Sequence, residues 1–503
     1  MRKLIGVIDQ GTSGTKFFLF DQQGHVVHSS FKEHRWYCPK EGWVEQDALE
    51  IYHNTLSLVE EAFAAKSLCQ SDLVALGITN QRETTVLWEK KTGIPLANAI
   101  SWQDSRTADL VNEFSKTPAG LYRYHRKTGL PLATYFSGMK LLWLLEHVPE
   151  ARKKASSGDL LFGTIDSFLL WKFSGGPHGG KHLTDVTNAS RTLLFNIHTM
   201  QWDQEILEEL TIPSVLMPEV VPNDAILAEG KIGCLKGITL AGLIGDQQAA
   251  LIGQNCLRLG EGKCTYGTGA FLLVNTAYRP IFSDAGLITT IGYKLRNGII
   301  SYALEGSSAS AGSAVHWLKQ LLKLKDDQEL ETLALEASDN GGIYFVPAFC
   351  GLFAPYWDPF ARAAFFGLTL KTQACHLARA VLEATAFQVR DLFEGIQKAC
   401  GMKMQELKVD GGMVKNERFM QFQADILNRK ILAPENSETT AMGAAFVTGL
   451  AGGLFNDFEE LGQWWKKKKE WLPTLSSLER QKELRYWKKA LRKAAKWIQK
   501  TTG

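Results

Sequence analysis

Two apolar runs, each leading into a turn of Gly and Thr and then a second apolar run, constrain this chain most. The first is Leu4-Ile5-Gly6-Val7-Ile8 ending at Asp9, then Gly11-Thr12-Ser13-Gly14-Thr15, then Lys16-Phe17-Phe18-Leu19-Phe20. A strand, a small-residue turn and another strand differ from the P-loop, whose phosphate turn leads into a helix. Asp21 to Gly24 then predicts a turn into a third strand, His25 to Ser30. Half a chain later, Ile238 to Ile244 ends at Gly245-Asp246, and Lys263-Cys264-Thr265-Tyr266-Gly267-Thr268-Gly269 precedes Ala270 to Val274. One repeat at this scale predicts two related halves rather than a solenoid. The split falls near residues 250–260, giving an N-terminal domain over 1–253 and a C-terminal domain over 254–503. A chain of 503 residues is too long for one compact core, which agrees.

Charge and cysteine usage narrow the functional classes. With 56 basic and 53 acidic residues the net charge is +3, so no general electrostatic case exists for nucleic acid or an anionic membrane as partner. Eight cysteines are scattered singly with no C-x-x-C pair, which predicts free thiols in a reducing compartment. The apolar run after Met1-Arg2-Lys3 is too short for a signal-peptide core, and no segment reaches membrane-spanning length. A cytoplasmic protein is the expectation.

Elsewhere the apolar spacing predicts helices over Leu377 to Ala399, Met420 to Leu427 and Leu478 to Lys500. The last places Leu484, Trp487, Leu491, Ala494, Ala495 and Ile498 on one face, with Lys and Arg on the other. Packing on the domain surface is expected of it, rather than lying on a membrane. Trp464-Trp465 reads as two anchors before a solvated run, Lys466 to Lys469.

The turns carry the chemistry. Phosphate oxygens need several converging N–H donors; small residues allow the approach and Gly the necessary dihedrals. Gly11 to Thr15 meets this, with hydroxyl donors from Thr12 and Ser13 and a cation from Lys16. Asp9 is placed to hold magnesium through water. A ligand-free hairpin is the plainer alternative. The second turn, Thr265 to Gly269, would grip a polyphosphate from the opposite side, and Asp410-Gly411-Gly412-Met413-Val414-Lys415-Asn416 leaves room for a base or ribose. On the acceptor side, Val74 to Ile78 delivers Thr79-Asn80-Gln81-Arg82-Glu83-Thr84-Thr85, where Arg donates and Glu accepts, as a row of hydroxyls requires. A surface ion pair is the other reading of Arg82 and Glu83. Asp246, at the end of an apolar strand, is either a base for a hydroxyl proton or a helix cap.

Together these segments resemble the FGGY family of carbohydrate kinases. So do Gly42-Trp43-Val44-Glu45-Gln46-Asp47, Gly163-Thr164-Ile165-Asp166, Thr187-Asn188-Ala189-Ser190-Arg191-Thr192 and Ala354-Pro355-Tyr356-Trp357-Asp358-Pro359. The resemblance implies an α/β fold of two duplicated actin-like (ribonuclease H-type) domains around a central cleft. It implies ATP-dependent phosphorylation of glycerol to glycerol 3-phosphate, with magnesium, and Asp246 as catalytic base. Arg82, Glu83, Trp102, Tyr135, Asp246, Gln247 and Phe271 would contact the acceptor. Thr12, Ser13, Gly14, Lys16, Thr268, Gly312, His316, Gly412 and Asn416 would contact the nucleotide, and Asp9 with Asp246 the metal. Gly14, Lys16, His316 and Phe353 depart from residues common in the family. A homodimer or homotetramer is the assembly implied. The competing expectations are a kinase for another polyol or sugar and a non-catalytic actin-like binding protein.

Overall fold

The computed structural model describes residues 3–284, 286–349, 351–358 and 360–498. Cys350, Pro359 and the expected helix end at Lys500 lie outside the described residues. The N-terminal sheet is built from β1 (Leu4–Gln10), β2 (Gly14–Phe20), β3 (Val26–Glu33), β4 (Leu73–Asn80), β5 (Ile226–Glu229) and β6 (Thr239–Gly245). Its order is β5-β6-β4-β1-β2-β3. β1 pairs antiparallel with β2 and parallel with β4, and β4 pairs parallel with β6. β1, β4 and β6 are buried along almost their whole length, which is why they read as unbroken apolar runs rather than alternating ones. Helices α1 (Ala48–Lys66) and α2 (Ile165–Phe173) share a core with this sheet through Ile51, Leu58, Phe168 and Leu169. Asp47 caps α1 by accepting from the N–H groups of Leu49 and Glu50.

A second sheet repeats the plan. It comprises β7 (Gly262–Tyr266), β8 (Ala270–Ala277), β9 (Ile288–Lys294), β10 (Ile300–Ser308), β11 (Glu406–Asp410), β12 (Lys430–Pro434) and β13 (Lys467–Trp471), in the order β9-β10-β8-β7-β11-β12-β13. Setting β9 aside, β10-β8-β7-β11-β12-β13 matches β3-β2-β1-β4-β6-β5 in position and direction at every pairing. The correspondence extends to single residues. A Cβ on Gly14 would meet the Lys32 carbonyl oxygen at 2.4 Å, and one on Gly269 the Ser308 carbonyl oxygen at 2.5 Å, each on the third strand of its sheet.

Between the two sheets run α3 (Asp246–Gly253) and, from the C-terminal half, α7 (Thr439–Ala451). The remaining helices that matter to the site are α4 (Gly312–Leu321), α5 (Ala374–Cys400), α6 (Glu417–Leu427) and α8 (Ser477–Ala494). α3 and α7 touch backbone to backbone: a Cβ on Gly253 would lie 1.9 Å from the Thr439 carbonyl oxygen, and one on Gly443 1.9 Å from that of Ala249. Their side chains cross over. Leu251 of α3 packs with Leu273 and Ala303 of the C-terminal sheet, while Met442 and Phe446 of α7 pack with Val7 and Phe20 of the N-terminal sheet.

The outer helices follow the expected apolar faces. α8 ends at Ala494, with Trp487 fully buried and stacked on Phe387 of α5, so it is a packed surface helix. Ile498 lies beyond it and is exposed. The lysine run is solvated as expected, and Lys467–Trp471 forms an edge strand. Its exposed Lys467, Lys468 and Lys469 suit an edge that must not recruit another strand. Seven cysteines among the described residues are free thiols, and among these residues no helix is long and apolar enough to cross a membrane.

Candidate active site

The segment after β4 and the first turn of α3 open onto the same small cavity. Thr12, Gln81, Arg82, Glu83, Trp102, Tyr135, Asp246, Gln247 and Phe271 line it, enclosing about 40 Å³. All seven predicted acceptor residues are therefore brought together, joined by Thr12 from the first turn. Phe271 sits on β8, so the C-terminal sheet supplies one wall. The Trp102 ring meets Tyr135 and Phe271 edge-on at 5.6 and 6.0 Å, and its Nε1 donates to Thr12 Oγ1 at 3.0 Å. An apolar wall faces a polar one, which suits a short chain carrying hydroxyls on one side. Glu83 takes a left-handed backbone conformation, φ 64°, to turn from the strand into the cavity.

Beneath the cavity lies a buried ionic cluster. Arg82 Nη1 and Nη2 donate to Glu305 Oε2 and Oε1 at 2.6 and 3.1 Å, and Arg82 Nε faces Asp246 Oδ1 at 3.2 Å. Arg191 donates to Glu83 Oε1 at 2.6 Å and Glu305 Oε1 at 3.0 Å. Arg82, Glu83, Arg191 and Glu305 expose at most 2% of their side chains; Asp246 exposes 25% and is the member that opens onto the cleft. Burial alone would raise Glu305, but Arg191 and Arg82 outweigh it and hold the carboxyl at about 2. Burial likewise opposes the Arg82 charge, yet Glu305, Glu83 and Asp246 keep its pKa well above the ordinary range. For Glu83 burial wins, and its pKa rises despite Arg191 and Arg82. Asp246 is oriented by the Gln247 N–H at 2.7 Å and Gln247 Nε2 at 3.1 Å. Lys140, fully buried, donates to the Tyr135 carbonyl at 2.6 Å and fixes that segment.

Arg191, Glu305, Gln248 and Lys263 escaped the residue-by-residue expectations. The one local signal was a charge in the middle of an apolar strand, Glu305 in Ile300–Ser308 and Lys263 in Gly262–Tyr266, both fully buried. A buried charge implies a partner without naming it.

The second cavity is larger, about 600 Å³, and includes Gly267, Thr268, Gly312, His316, Gly412 and Asn416 in its lining. All five residues expected on the C-terminal side of a nucleotide are present. The turn is stapled to α4: the N–H groups of Ala311 and Ser313 donate to the Thr268 carbonyl, and that of Gly312 to the Gly267 carbonyl. Asn416 Oδ1 caps α6 by accepting from Phe419 N–H at 2.8 Å, leaving its amide donors free of that duty. Ser13, Gly14 and Lys16 line neither of these two cavities. Gly14 and Gly269 do not adopt positive φ, so their role is to let backbones approach; Gly411, at φ 95°, does need it, and a Cβ there would meet the Tyr266 carbonyl oxygen at 2.4 Å. Lys16 Nζ is engaged by Glu438 Oε2 at 2.8 Å, a half-exposed pair across the cleft. Such a pair contributes little and can exchange partners readily.

Asp9, at the mouth of β1, is a fit for a hard divalent cation. Among the described residues no donor reaches its carboxylate, and its pKa is pushed up to about 7 by burial, against Lys16 and with help from Asp246 and Glu438. No group of three or more His, Cys, Asp or Glu that could hold a metal occurs among the described residues. A magnesium ion shared with phosphate oxygens and water needs only one or two carboxylates.

Residues 4–253 match the model of the FGGY family of carbohydrate kinases, N-terminal domain, and residues 262–452 that of its C-terminal domain. The chain is 50% identical over 499 residues to a glycerol kinase of Acidiphilium cryptum, covering 99% of this chain and 100% of the relative. It is 49% identical over 498 residues to a glycerol kinase of Azorhizobium caulinodans, with coverage of 99% and 100%. The crystal structure of Plasmodium falciparum glycerol kinase with ADP superposes with a TM-score of 0.89 at 38% identity, over 99% of each chain. A ligand-bound xylulose kinase from Lactobacillus acidophilus shares the fold, with a TM-score of 0.87 at 24% identity over 98% of each chain. The fold is thus the two-domain α/β arrangement of actin-like kinases, and the chain belongs to the FGGY family of carbohydrate kinases.

Proposed function

We infer that the protein transfers the γ-phosphoryl group of ATP to a terminal hydroxyl of glycerol, giving glycerol 3-phosphate and ADP. The observation that carries this is the acceptor cavity. Trp102 and Phe271 form one apolar wall of this small space and Arg82, Glu83 and Asp246 a polar one, which suits a short chain carrying hydroxyls on one side. Full-length identity near 50% to glycerol kinases supports the same reading.

Arg82 donates to acceptor oxygens and Glu83 accepts from acceptor hydroxyls, while Trp102 and Phe271 cover the carbon chain. Asp246 takes the proton of the attacking hydroxyl; the new O–P bond forms as the bond from the γ-phosphorus to the bridging oxygen breaks, and ADP leaves. Thr12, Ser13, Gly14 and Lys16 hold phosphate from the N-terminal side; Thr268, Gly312, His316, Gly412 and Asn416 hold the nucleotide from the other. Magnesium, held by Asp9 and Asp246, would supply neutralising charge on the phosphates. Excluding water between the two halves protects ATP from hydrolysis. The domains divide at 253/254, a reading supported by the two matching sheets. A homodimer or homotetramer goes with the same family resemblance, and a cytoplasmic location with the scattered free thiols.

A coupled ADP assay across glycerol, dihydroxyacetone, erythritol and xylulose tests the assignment. Glycerol should give the highest kcat/KM, with the four- and five-carbon acceptors far below it. Xylulose outperforming glycerol would move the protein to a sugar kinase, and no acceptor-dependent ADP release would make it a binding protein.

A further inference from the structure

The acceptor ligands come mostly from the N-terminal half, but two of them are held from the other half of the molecule. Lys263, on β7, is fully buried. Its Nζ donates to Gln247 Oε1 at 2.5 Å and to Thr265 Oγ1 at 2.8 Å. An ammonium has three donors and no acceptor, so it fixes the oxygen end of the Gln247 carboxamide toward itself. The nitrogen end is thereby turned to Asp246, where Nε2 donates to Oδ2 at 3.1 Å. The second N–H of that nitrogen remains for an acceptor oxygen. A flipped carboxamide would bring its oxygen against the Asp246 carboxylate, which is repulsive.

Glu305, on β10, does the equivalent for Arg82. Both its oxygens are used, in a two-pronged contact with Arg82 and a third bond from Arg191. Nη1 and Nη2 each give one N–H to Glu305, Nη1 gives its other to Gln248 Oε1 at 3.2 Å, and Nε faces Asp246 Oδ1 at 3.2 Å, so the second N–H of Nη2 remains for an acceptor oxygen. A planar guanidinium gripped at two points has no freedom to rotate. Burying such charges is costly and well-packed apolar residues often serve stability as well. Their presence here serves geometry.

We propose that Lys263 and Glu305 are positioning residues for the acceptor: Lys263 sets which end of the Gln247 carboxamide meets it, and Glu305 aims the Arg82 guanidinium. Neither lines the acceptor cavity, so each acts through its partner. The inference rests on Arg82 and Gln247 being acceptor ligands, as read above.

Steady-state kinetics on the full chain test it, with KM for glycerol and for ATP and kcat measured separately. Glu305→Gln keeps the shape and removes the charge; Lys263→Met keeps the length and removes the donor. Each should raise KM for glycerol by about 10–100-fold, the scale seen when an orienting partner is lost, while KM for ATP stays within about twofold. In a Gln247→Ala background, Lys263→Met should add less than about twofold, because the side chain it orients is gone. If Lys263→Met does not fold, Lys263→Arg, which moves the donors off the amide oxygen, enters the same cycle with the same expectation. An unchanged glycerol KM in folded variants, equal rises in both KM values, or an undiminished Lys263 effect without Gln247 overturns the proposal. Wild-type protein that releases no ADP with glycerol removes the acceptor reading itself, and this inference with it.

Discussion

Asp246 is held on three sides before any acceptor arrives: by its neighbour's N–H, by the Gln247 carboxamide and by the Arg82 guanidinium. Both oxygens are aimed, and the quarter of the side chain left exposed is what faces the cleft. Asp246→Asn keeps the shape and the Gln247 N–H contact but removes the ability to take a proton. Turnover should fall by about 10²–10⁴-fold, the range for losing a positioned base, with glycerol binding largely retained. The check is kcat alongside glycerol affinity by calorimetry; near-normal turnover would reject the base assignment. Arg82 cannot be read so simply. It faces the acceptor cavity and also closes the buried cluster, so removing it would leave Glu305 buried with half its partners.

At the scale of elements, the crossing of α3 and α7 decides how the two sheets meet. Gly253 and Gly443 are required there because backbone, not a flexible side chain, occupies the space a Cβ would need. Gly443→Ala should therefore destabilise the protein by about 3 kcal/mol, the upper end for overpacking, since no rotamer change relieves a 1.9 Å approach to a carbonyl oxygen. Denaturant unfolding of the variant checks this; a loss below 1 kcal/mol, about the bottom of that range, would mean the helices slide apart freely. The strands and turns around this crossing were legible in sequence because their signals are local: apolar runs closed by Gly, Thr and Asp. Sheet order, the extra strand β9 and the exchange of α3 and α7 between sheets were not, since pairing at long range leaves no mark in a single sequence. The same boundary runs through the site. Arg82, Glu83, Asp246 and Gln247 stand at strand ends, where position alone gave them away. Glu305, 223 residues from Arg82, and Glu438, 422 residues from Lys16, become partners only once the chain has folded.

For the whole molecule, each proposed ligand site draws on both halves. The acceptor cavity takes Phe271 from the C-terminal sheet, and the nucleotide reading takes Thr12 to Lys16 from the N-terminal one. A ligand that needs both walls stabilises the arrangement in which they face each other, and the second ligand then finds its own walls already placed. Glycerol should tighten binding of a non-hydrolysable ATP analogue by about fivefold or more, and the analogue should tighten glycerol binding by the same factor, because a coupling free energy belongs to the pair. Calorimetric titration of each ligand, with and without saturating amounts of the other, measures both factors. Equal factors above one fit halves that close as a unit. Two affinities that ignore each other would mean that each cavity is complete on its own side, and the wall contributed by Phe271 would then be packing rather than part of the binding site.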